Sequence, residues 1–363
     1  MTGADSVPYQ LTRVGMIMSP EPGNPLESEG VLNPASGRTP DGRVHLLPRL
    51  VAAGNVSRVG LAELVLSDGV PVGVNRRGVV LEPDQAWERG VGNAGVEDPR
   101  VTWIAELGTH VMTYVAFGPL GPRLALAVSQ DLRHWRRLGP VQFGYEPELG
   151  TDFSLYPNKD AVWFGEPVPG PDGRPAFALL HRPMWDLGWI RPGQGEVLPA
   201  GVSDPRPGIW ISYVDADAAR TDIRALARPL GHRCVAMPQY AFEELKIGAG
   251  PPPLRVEQGW LVLHHGVSGT PSTGFDPTTG AVLYSAGALL LDAADPAWLL
   301  ARTAEPLLRP DTEDEQVGVV GNVVFPTAIE TIGEQRFVFY GMADARIGVA
   351  RLDHIAPPEG EPS

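Results

Sequence analysis

The segment Gly95–Arg100 carries the densest chemistry in the sequence. It reads Gly-Val-Glu-Asp-Pro-Arg, so two carboxylates and a guanidinium lie within four residues, and an apolar predicted strand follows at once. A charged group at the mouth of a buried strand costs free energy unless it is paired or acts on something. Since proline follows Asp98, we expect this residue in an extended or turn conformation. Either Asp98 and Arg100 form an ion pair that closes a turn, or Asp98 is a general acid whose pKa an enclosed site raises.

Three cationic residues recur at corresponding positions of other predicted strands: Lys159, Arg182 and Lys246. If all three point into one pocket, they repel one another unless an anion lies between them. A phosphate suits such a set, and an arginine binds it through two parallel hydrogen bonds. The alternative is local, with Lys159 paired to Asp160 and Arg182 capping a strand before Pro183.

Other polar and aromatic residues at predicted strand ends complete the candidate pocket. They are Arg49, Arg100, Asp160, His181, His264, His265 and Asp344, with Tyr114, Trp163 and Tyr240 as aromatic neighbours for a sugar ring. Two adjacent histidines suggest a metal, but neighbouring strand residues face opposite sides and rarely ligate one ion. A dinucleotide-binding glycine motif and a P-loop lysine are both absent from the sequence, which argues against a nucleotide site. We expect no metal and no cofactor.

One pattern recurs five times along the chain: a turn with glycine, an alternating apolar strand, and a polar or aromatic end. The turn glycines are Gly42, Gly108, Gly173, Gly259 and Gly333, about 65 to 86 residues apart, which is long for one propeller blade and implies long loops between blades. Each repeat is a strand, a hairpin turn and a strand, with room for two more strands. The pattern predicts an all-β fold, a five-bladed β-propeller, whose blades direct polar ends into one channel. A β-sandwich with irregular insertions is the alternative.

The repeats predict one domain. We expect residues 1–30 to form an irregular N-terminal arm and residues 31–355 to form a single propeller catalytic domain. The segment 184–208 looks like an insertion over one face. Helix signals are sparse, the best at Asp215–Arg228 and a second near Asp295–Arg302.

Composition excludes several classes of function. The 363 residues carry a net charge of −14, which argues against a general nucleic-acid or anionic-membrane surface. The single cysteine, Cys234, excludes an internal disulfide, a CxxC redox pair and a cysteine-based zinc site. The sequence shows neither a secretion signal nor a bilayer-spanning apolar run. We therefore expect a cytoplasmic protein, and a homo-oligomer stays open.

Six motifs, taken in order, resemble glycoside hydrolase family 130, the family of β-mannoside phosphorylases and related β-1,2-mannosidases. They are GVEDPR, NKDAVWFGE, LLHRP, KIGAGPPP with GWLVLHHGV, YSAGALLLDAADP, and NVVFP with FVFYGMAD. The similarity runs from about Asn33 to Ala350, most of the chain. The fold that this resemblance implies is a five-bladed β-propeller, in agreement with the repeat pattern.

The resemblance also implies roles for individual residues. Asp98 matches the catalytic acid, which acts through the 3-hydroxyl of the substrate as a proton relay. Arg182 and Lys246 match phosphate-holding positions, and Lys159 lies near a third one. Asp344 matches a sugar-contacting aspartate, and the remaining substrate-binding candidates are Arg49, Arg100, Asp160, His181 and His265. Departures from the family pattern, such as HHG for YHG, leave the acceptor sugar open.

These observations lead to the hypothesis of an inverting phosphorylase with inorganic phosphate as co-substrate. Phosphate attacks the anomeric carbon of a non-reducing β-mannosyl unit, and α-mannose 1-phosphate is formed without a protein nucleophile. A hydrolase of the same fold is the alternative; it needs a carboxylate base at ~6.5–9.5 Å from the acid, for which Glu166, Glu243 and Glu244 are candidates. A non-catalytic glycan-binding propeller is a second alternative.

Overall fold

Strands dominate the computed structural model, which describes residues 7–188, 193, 195–271 and 280–355. The first strand, β1 (Tyr9–Met18), pairs with the last strand of the chain. The strands between them form consecutive antiparallel sets, numbered here in chain order. Set 1 contains β2 (Gly30–Arg38), β3 (Val44–Ala52), β4 (Val56–Ser67) and β5 (Val70–Leu81). Set 2 contains β6 (Ala94–Ile104), β7 (Thr109–Gly118), β8 (Gly121–Ser129) and β9 (Arg136–Pro140). A short parallel pairing of β4 with β6, at Val56–Ala94 and Ser57–Gly95, joins sets 1 and 2 into one eight-stranded sheet.

Sets 3 and 4 each add one very short strand to the same arrangement. Set 3 contains β10 (Asn158–Trp163), β11 (Val168–Pro169), β12 (Pro175–Pro183), β13 (Ile209–Asp215) and β14 (Leu230–Ala236). Set 4 contains β15 (Lys246–Ala249), β16 (Leu254–Val256), β17 (Gly259–Thr270), β18 (Ala281–Leu291) and β19 (Leu299–Arg302). Part of the long connection from β12 to β13, predicted as an insertion over 184–208, lies outside the described residues.

Set 5 joins the two ends of the chain. It contains β20 (Val324–Ile332), β21 (Gln335–Met342) and β22 (Arg346–His354), and β1 pairs antiparallel with β22 as its fourth strand. At Tyr9–Met18 the structure therefore differs from the expectation of an irregular arm over residues 1–30. The reason is that Val7, Tyr9 and Leu11 bury their side chains in the core between sets 4 and 5.

The predicted hairpin glycines lie where the repeat pattern put them. Gly42, Gly108, Gly173 and Gly333 lie just before β3, β7, β12 and β21, and Gly259 is the first residue of β17. Their φ angles are 83°, 59°, 78°, 62° and 146° in that order. Glycine adopts such angles without the steric cost that a Cβ brings, so this turn chemistry was legible in the sequence.

Helices are short, as predicted. Among the residues that the structure describes, the α-helices are α1 (Ala216–Thr221) and α2 (Glu313–Gln316), with short 3-10 turns elsewhere. The structure confirms helix within Asp215–Arg228, where α1 is followed by the 3-10 turn Ile223–Ala227. It contradicts the second helix near Asp295–Arg302, because the last four of those residues form β19 against β18. None of the helices in the described residues is long and apolar enough to cross a membrane.

Apolar packing joins each set to the next in a cycle. Five clusters of buried residues lie between sets 1 and 2, 2 and 3, 3 and 4, 4 and 5, and 5 and 1. One residue from each neighbouring set illustrates them in that order: Val59 with Met112, Leu126 with Trp163, Ile211 with Val262, Leu263 with Tyr340, and Phe339 with Leu46. Burying one such side chain contributes about 1.5–3 kcal/mol, so these interfaces hold neighbouring sets against each other.

Candidate active site

The first strands of sets 1, 2 and 3 each contain a β-bulge, which changes the direction of a short polar side chain. The pairing register shifts around Asn33 in β2, Asp98 in β6 and Asp160 in β10. All three residues adopt left-handed backbone angles, with φ of 43°, 47° and 54°, a conformation that Asn and Asp tolerate better than most residues. The expectation of a turn-like Asp98 is thus confirmed. A bulge turns a side chain out of the regular strand alternation.

Asp98 lies at one side of the resulting site. Its Oδ1 accepts a hydrogen bond from Asn33 Nδ2 at 2.8 Å and one from Arg49 Nη1 at 3.0 Å, and its side chain is 9% exposed. Burial favours the neutral acid, but the positive charges of Arg49, Lys159 and Arg100 outweigh it and hold the pKa of Asp98 below its ordinary value. The protein's own charges therefore act against the raised pKa that the sequence led us to expect.

Glu97 links the acid to the first cation. This buried carboxylate accepts from Arg49 Nη2 at 2.8 Å and from Lys159 Nζ at 3.2 Å. Burial disfavours the charged ammonium, yet Glu97 and Asp98 raise the pKa of Lys159 above its ordinary value. Lys159 also lies 5.7 Å from the centre of the Phe117 ring. The ion pair of Lys159 is thus made with Glu97 rather than with Asp160, its neighbour in sequence.

Asp160 organises the other side of the site. Its Oδ2 accepts from Arg182 Nε at 2.6 Å and lies 3.6 Å from His265 Nε2. Burial favours the neutral acid, but the charge of Arg182 outweighs it and holds the pKa of Asp160 well below its usual range. For His265, burial favours the uncharged imidazole and lowers its pKa well below the ordinary value, so the ring is neutral near pH 7.

Two cations of this side keep binding capacity. The Nη1 atom of Arg182 is buried without a hydrogen-bond partner among the described residues. Lys246 Nζ lies 5.4 Å from the centre of the Tyr284 ring, and within the described part of the chain it makes no ion pair. An anion with several acceptor oxygens would satisfy both groups.

Arg100 ties the two sides together. This fully buried guanidinium donates from Nε to the carbonyl oxygen of Gly250 at 3.0 Å and from Nη1 to the backbone oxygen of Asp98 at 3.1 Å. Its Cζ lies 5.3 Å from the centre of the Phe325 ring. The bond to Asp98 is made with the main chain, so the simple Asp98–Arg100 side-chain pair is not what the structure shows.

Asp344 follows β21 in the turn to β22. The carbonyl oxygen of Ala345 accepts from Val31 N at 3.2 Å, which places this turn beside β2, two residues from Asn33. Burial, with the charges of Asp98 and Glu97, raises the pKa of Asp344 to about 6, although Arg49 and Lys159 act in the opposite direction.

Most predicted pocket residues therefore converge, and we call this group the site cluster. It comprises Arg49, Glu97, Asp98, Arg100, Lys159, Asp160, Arg182, Lys246, His265 and Asp344. Its members come from all five sets, since Asp344 follows β21 of set 5 and Lys246 begins set 4. The cluster contains the acid and the three cations that the sequence analysis singled out.

His181 is not brought to the site cluster. Its ring is fully buried, with Nδ1 at 3.0 Å from Asn158 Nδ2 and Nε2 at 2.8 Å from Ser212 Oγ. It packs against Phe143. Since adjacent strand residues face opposite sides, Arg182 enters the site while His181 enters the core. His264 shows the same alternation relative to His265.

The expected aromatic neighbours differ as well. Tyr114 and Trp163 are core residues, and Tyr114 Oη donates to Glu88 Oε1 at 2.7 Å. Tyr240 lies against the Arg302 guanidinium. The rings of Phe117, Tyr284 and Phe325 instead lie against cations of the site cluster.

The structure also locates the carboxylates considered as hydrolytic bases. Glu243 is buried and accepts from His264 at 2.9 Å and from Arg302 at 2.6 Å. Despite burial, these partners lower the pKa of Glu243 to about 2. Glu166 and Glu244 are exposed. Among the described residues, no group of three or more His, Cys, Asp and Glu side chains is placed to hold a metal.

Sequence reasoning missed Asn33 and the role of Glu97. The Asn33-Pro34 dipeptide matches the Asp98-Pro99 dipeptide of the next set, and an Asn-Pro or Asp-Pro pair marks a turn. That signal was readable from the sequence. The bonds of Glu97 to two other sets were not.

A groove of about 900 Å³ lies elsewhere, between β9, the turn before β12 and the connection from β13 to β14. It is lined by residues such as Arg174, Tyr213 and Arg228, and by none of the site cluster.

Comparison with known proteins identifies the family. A family model described as beta-1,4-mannooligosaccharide phosphorylase matches residues 201–355. A beta-1,2-mannobiose phosphorylase of Thermoanaerobacter sp. (strain X514) is 30% identical over 274 residues, which are 75% of this chain and 68% of that protein. The chain belongs to glycoside hydrolase family 130.

Two further matches extend over nearly the whole chain. A 1,2-beta-oligomannan phosphorylase of Thermoanaerobacter sp. (strain X514) is 28% identical over 347 residues, 93% of this chain and 94% of that protein. The solved beta-1,2-mannobiose phosphorylase of Listeria innocua, in complex with beta-1,2-mannobiose, superposes with a TM-score of 0.67 at 22% identity. It covers 94% of this chain and 96% of that chain, and at this identity it shows a shared fold.

Proposed function

We propose that this family 130 enzyme is an inverting phosphorylase of β-mannosides that uses inorganic phosphate as co-substrate and gives α-mannose 1-phosphate. The observation that carries the proposal is the pairing of one acid with unsatisfied cations in the site cluster. The buried Nη1 of Arg182 lacks a partner among the described residues, and Lys246 lacks a carboxylate there. The acid, Asp98, belongs to the same charged network.

We propose a five-bladed β-propeller as the architecture, with residues 31–355 as one catalytic domain closed by β1. Four features support it: the five consecutive strand sets, of which sets 1 and 2 are joined by the short parallel pairing of β4 with β6, the cyclic order of the core clusters, the pairing of β1 with β22, and the contacts of β2 with both β6 and β20. Radial repetition of blades leaves a central channel. The site cluster, to which all five sets contribute, fits the mouth of such a channel.

In this mechanism Arg182, Lys246 and Lys159 hold the phosphate dianion against the anomeric carbon. A phosphate oxygen forms the new bond to C1 as the glycosidic C1–O bond breaks, and the departing oxygen takes a proton from Asp98, directly or through the 3-hydroxyl of the sugar. Displacement in one step inverts the anomeric carbon, so no protein nucleophile is required. The cations neutralise the incoming dianion and fix its position.

The phosphate also adjusts the acid. The cations that lower the pKa of Asp98 include Lys159, one of the three residues proposed to hold the phosphate. A dianion bound there offsets part of that positive charge, and the pKa of Asp98 then rises towards the range that a general acid needs.

Substrate contacts are assigned to the remaining polar members of the site cluster: Arg49, Arg100, Asp160, His265 and Asp344. We propose a β-1,2-mannoside as substrate, since two relatives are named for 1,2-linked mannosides. We place the reaction in the cytoplasm, a compartment that supplies inorganic phosphate.

The geometry gives the hydrolase alternative little support. A hydrolase needs a carboxylate that can accept a proton from water. Glu243 is held by His264 and Arg302, and its pKa of about 2 makes it a weak base. Glu166 and Glu244 lie on the exposed surface.

The test is turnover of β-1,2-mannobiose with and without inorganic phosphate, with mannose 1-phosphate as the measured product. We expect turnover only with phosphate, and a loss of at least ~10²-fold in Asp98→Asn, the usual contribution of a general acid. Asp68→Asn is the matched control, because Asp68 is exposed in a turn and shares the left-handed φ, at 50°. Turnover at the same rate without phosphate would refute the phosphorylase, and full activity of Asp98→Asn would refute the acid.

A further inference from the structure

Binding of a phosphate dianion reverses the sign of the net charge of the site cluster. The cations are Arg49, Arg100, Lys159, Arg182 and Lys246, and the carboxylates are Glu97, Asp98, Asp160 and Asp344. With His265 neutral, the cluster carries one excess positive charge. A phosphate dianion converts this into one excess negative charge. A buried site with an excess of negative charge favours uptake of a proton.

Two of the four carboxylates, Glu97 and Asp160, form short ion pairs with the cations. Glu97 binds both Arg49 and Lys159, at 2.8 and 3.2 Å. Asp160 binds Arg182 at 2.6 Å and lies 3.6 Å from His265. A proton on either one would weaken its ion pair with Arg49 or Arg182, which are themselves buried, and that is costly.

The other two carboxylates, Asp98 and Asp344, are the ones that can accept the proton. Within the described residues the carboxylate of Asp98 makes an ion pair with Arg49 alone, at 3.0 Å, and that guanidinium is shared with Glu97. Asp344 makes no ion pair within the described residues.

The surroundings of Asp344 contain both signs of charge. Glu97 and Asp98 of β6, Arg49 of β3 and Lys159 of β10 act on it. On β22, the nearby Arg346 is engaged with Asp314, at 3.3 Å. The negative neighbours of Asp344 thus come from β6 of set 2, and the positive ones come from sets 1 and 3.

We infer that Asp98 and Asp344 take up one proton between them when phosphate binds, so that Asp344 acts as a proton store for the acid. The inference rests on the proposed function. The glycosidic oxygen takes the stored proton from Asp98 as its bond to C1 breaks and a phosphate oxygen bonds to C1. The remaining P–OH group of the product then returns a proton to the carboxyl pair, and the site is restored. In this role Asp344 positions a proton and acts through Asp98.

The experiment is calorimetric titration of inorganic phosphate into the whole protein at pH 7 in buffers of different ionisation enthalpy. The slope of the observed enthalpy against the buffer enthalpy gives the number of protons taken up. The phosphate has its own proton equilibrium near pH 7, but this is common to all variants and cancels in their difference. The variants are Asp344→Asn, Asp344→Glu and Asp98→Asn, with Asp68→Asn as the surface control.

We expect the wild type and Asp68→Asn to take up about one proton more than Asp344→Asn and Asp98→Asn. Asp344→Glu keeps a carboxyl and should retain most of the uptake. Equal proton numbers in wild type and both Asn variants, with phosphate bound in each, would overturn the inference and leave the phosphorylase in place. A wild type that binds no phosphate at millimolar concentration would overturn both. Because either Asn variant removes half of the pair, one folded variant suffices for the test.

Discussion

Gly248 offers the sharpest structural test of how the site cluster is built. It lies in β15 between Lys246 and Gly250, and a Cβ added there would lie 2.5 Å from His265 Cε1 and closer still to Asp160 Oδ2. Ordinary contact begins near ~3.4 Å, so both side chains would have to retreat by about 1 Å. The backbone of Gly248 is not in the left-handed region, so Gly248→Ala changes packing without backbone strain.

The shift of the Asp160 carboxylate displaces Arg182, one of the residues proposed to bind phosphate. Asp160 holds Arg182 at 2.6 Å, and a carboxylate moved by 1 Å carries the guanidinium with it. A misplacement of this size costs about 10²-fold in rate, roughly 2.7 kcal/mol in transition-state stabilisation. We therefore expect kcat/KM for phosphate to fall about 10²-fold in Gly248→Ala.

The assay is initial-rate release of mannose 1-phosphate from β-1,2-mannobiose over a range of phosphate concentrations. Gly73→Ala is the matched control, because Gly73 lies in β5 with no atom within 4 Å of the added Cβ. It should behave as the wild type. If folded Gly248→Ala kept kcat/KM within about threefold of the wild type, the role given to the Asp160–Arg182 pair would be refuted.

Two further predictions concern the charges of the site. Lys246→Met should raise KM for phosphate about 10- to 100-fold, the scale of a lost hydrogen bond to a charged group. Arg255→Met, at an exposed position of set 4, is the control and should leave KM unchanged. If KM for phosphate were the same in Lys246→Met and in the wild type, the role of Lys246 as a phosphate ligand would be contradicted. Asp344→Asn should stabilise the protein above pH 6, because the raised pKa of about 6 means that the ionised carboxylate is unfavourable in the folded state. Below about pH 4 the carboxyl is neutral in both folded and unfolded chains, so the gain vanishes, and between these values it grows with pH. Thermal melting from pH 4 to 8 should show a gain of roughly 2 °C at the upper end and none at the lower; a gain independent of pH would contradict this reading.

Local turn chemistry explains why the repeat was predictable. A hairpin that needs a positive φ accepts glycine most easily, so Gly42, Gly173 and Gly333 mark their turns without knowledge of the rest of the chain. The pairing of β1 with β22 has no such local marker. It joins Tyr9 to His354, at opposite ends of the sequence, and the Pro and Gly content of the N-terminal region suggested irregular structure instead.

The site was predictable in its residue types and less so in its geometry. The alternation of strand residues implied that only one of His181 and Arg182 enters the pocket. Both were nevertheless predicted to lie there, because both belong to the family-like motif LLHRP. The direction of the pKa shift of Asp98 depends on Arg49 and Lys159 from the neighbouring sets. Their distances follow from the packing of whole sets against each other, which a single strand does not encode.

The central claim is that phosphate, held by cations of the site cluster opposite Asp98, is the group that attacks the mannosyl unit. The most direct measurement is a proton and phosphorus NMR time course of β-1,2-mannobiose with inorganic phosphate and the wild-type protein. We predict that α-mannose 1-phosphate appears from the first turnover, in equal amount to free mannose. Release of two mannose molecules per mannobiose, with no phosphate ester at any time, would contradict the account.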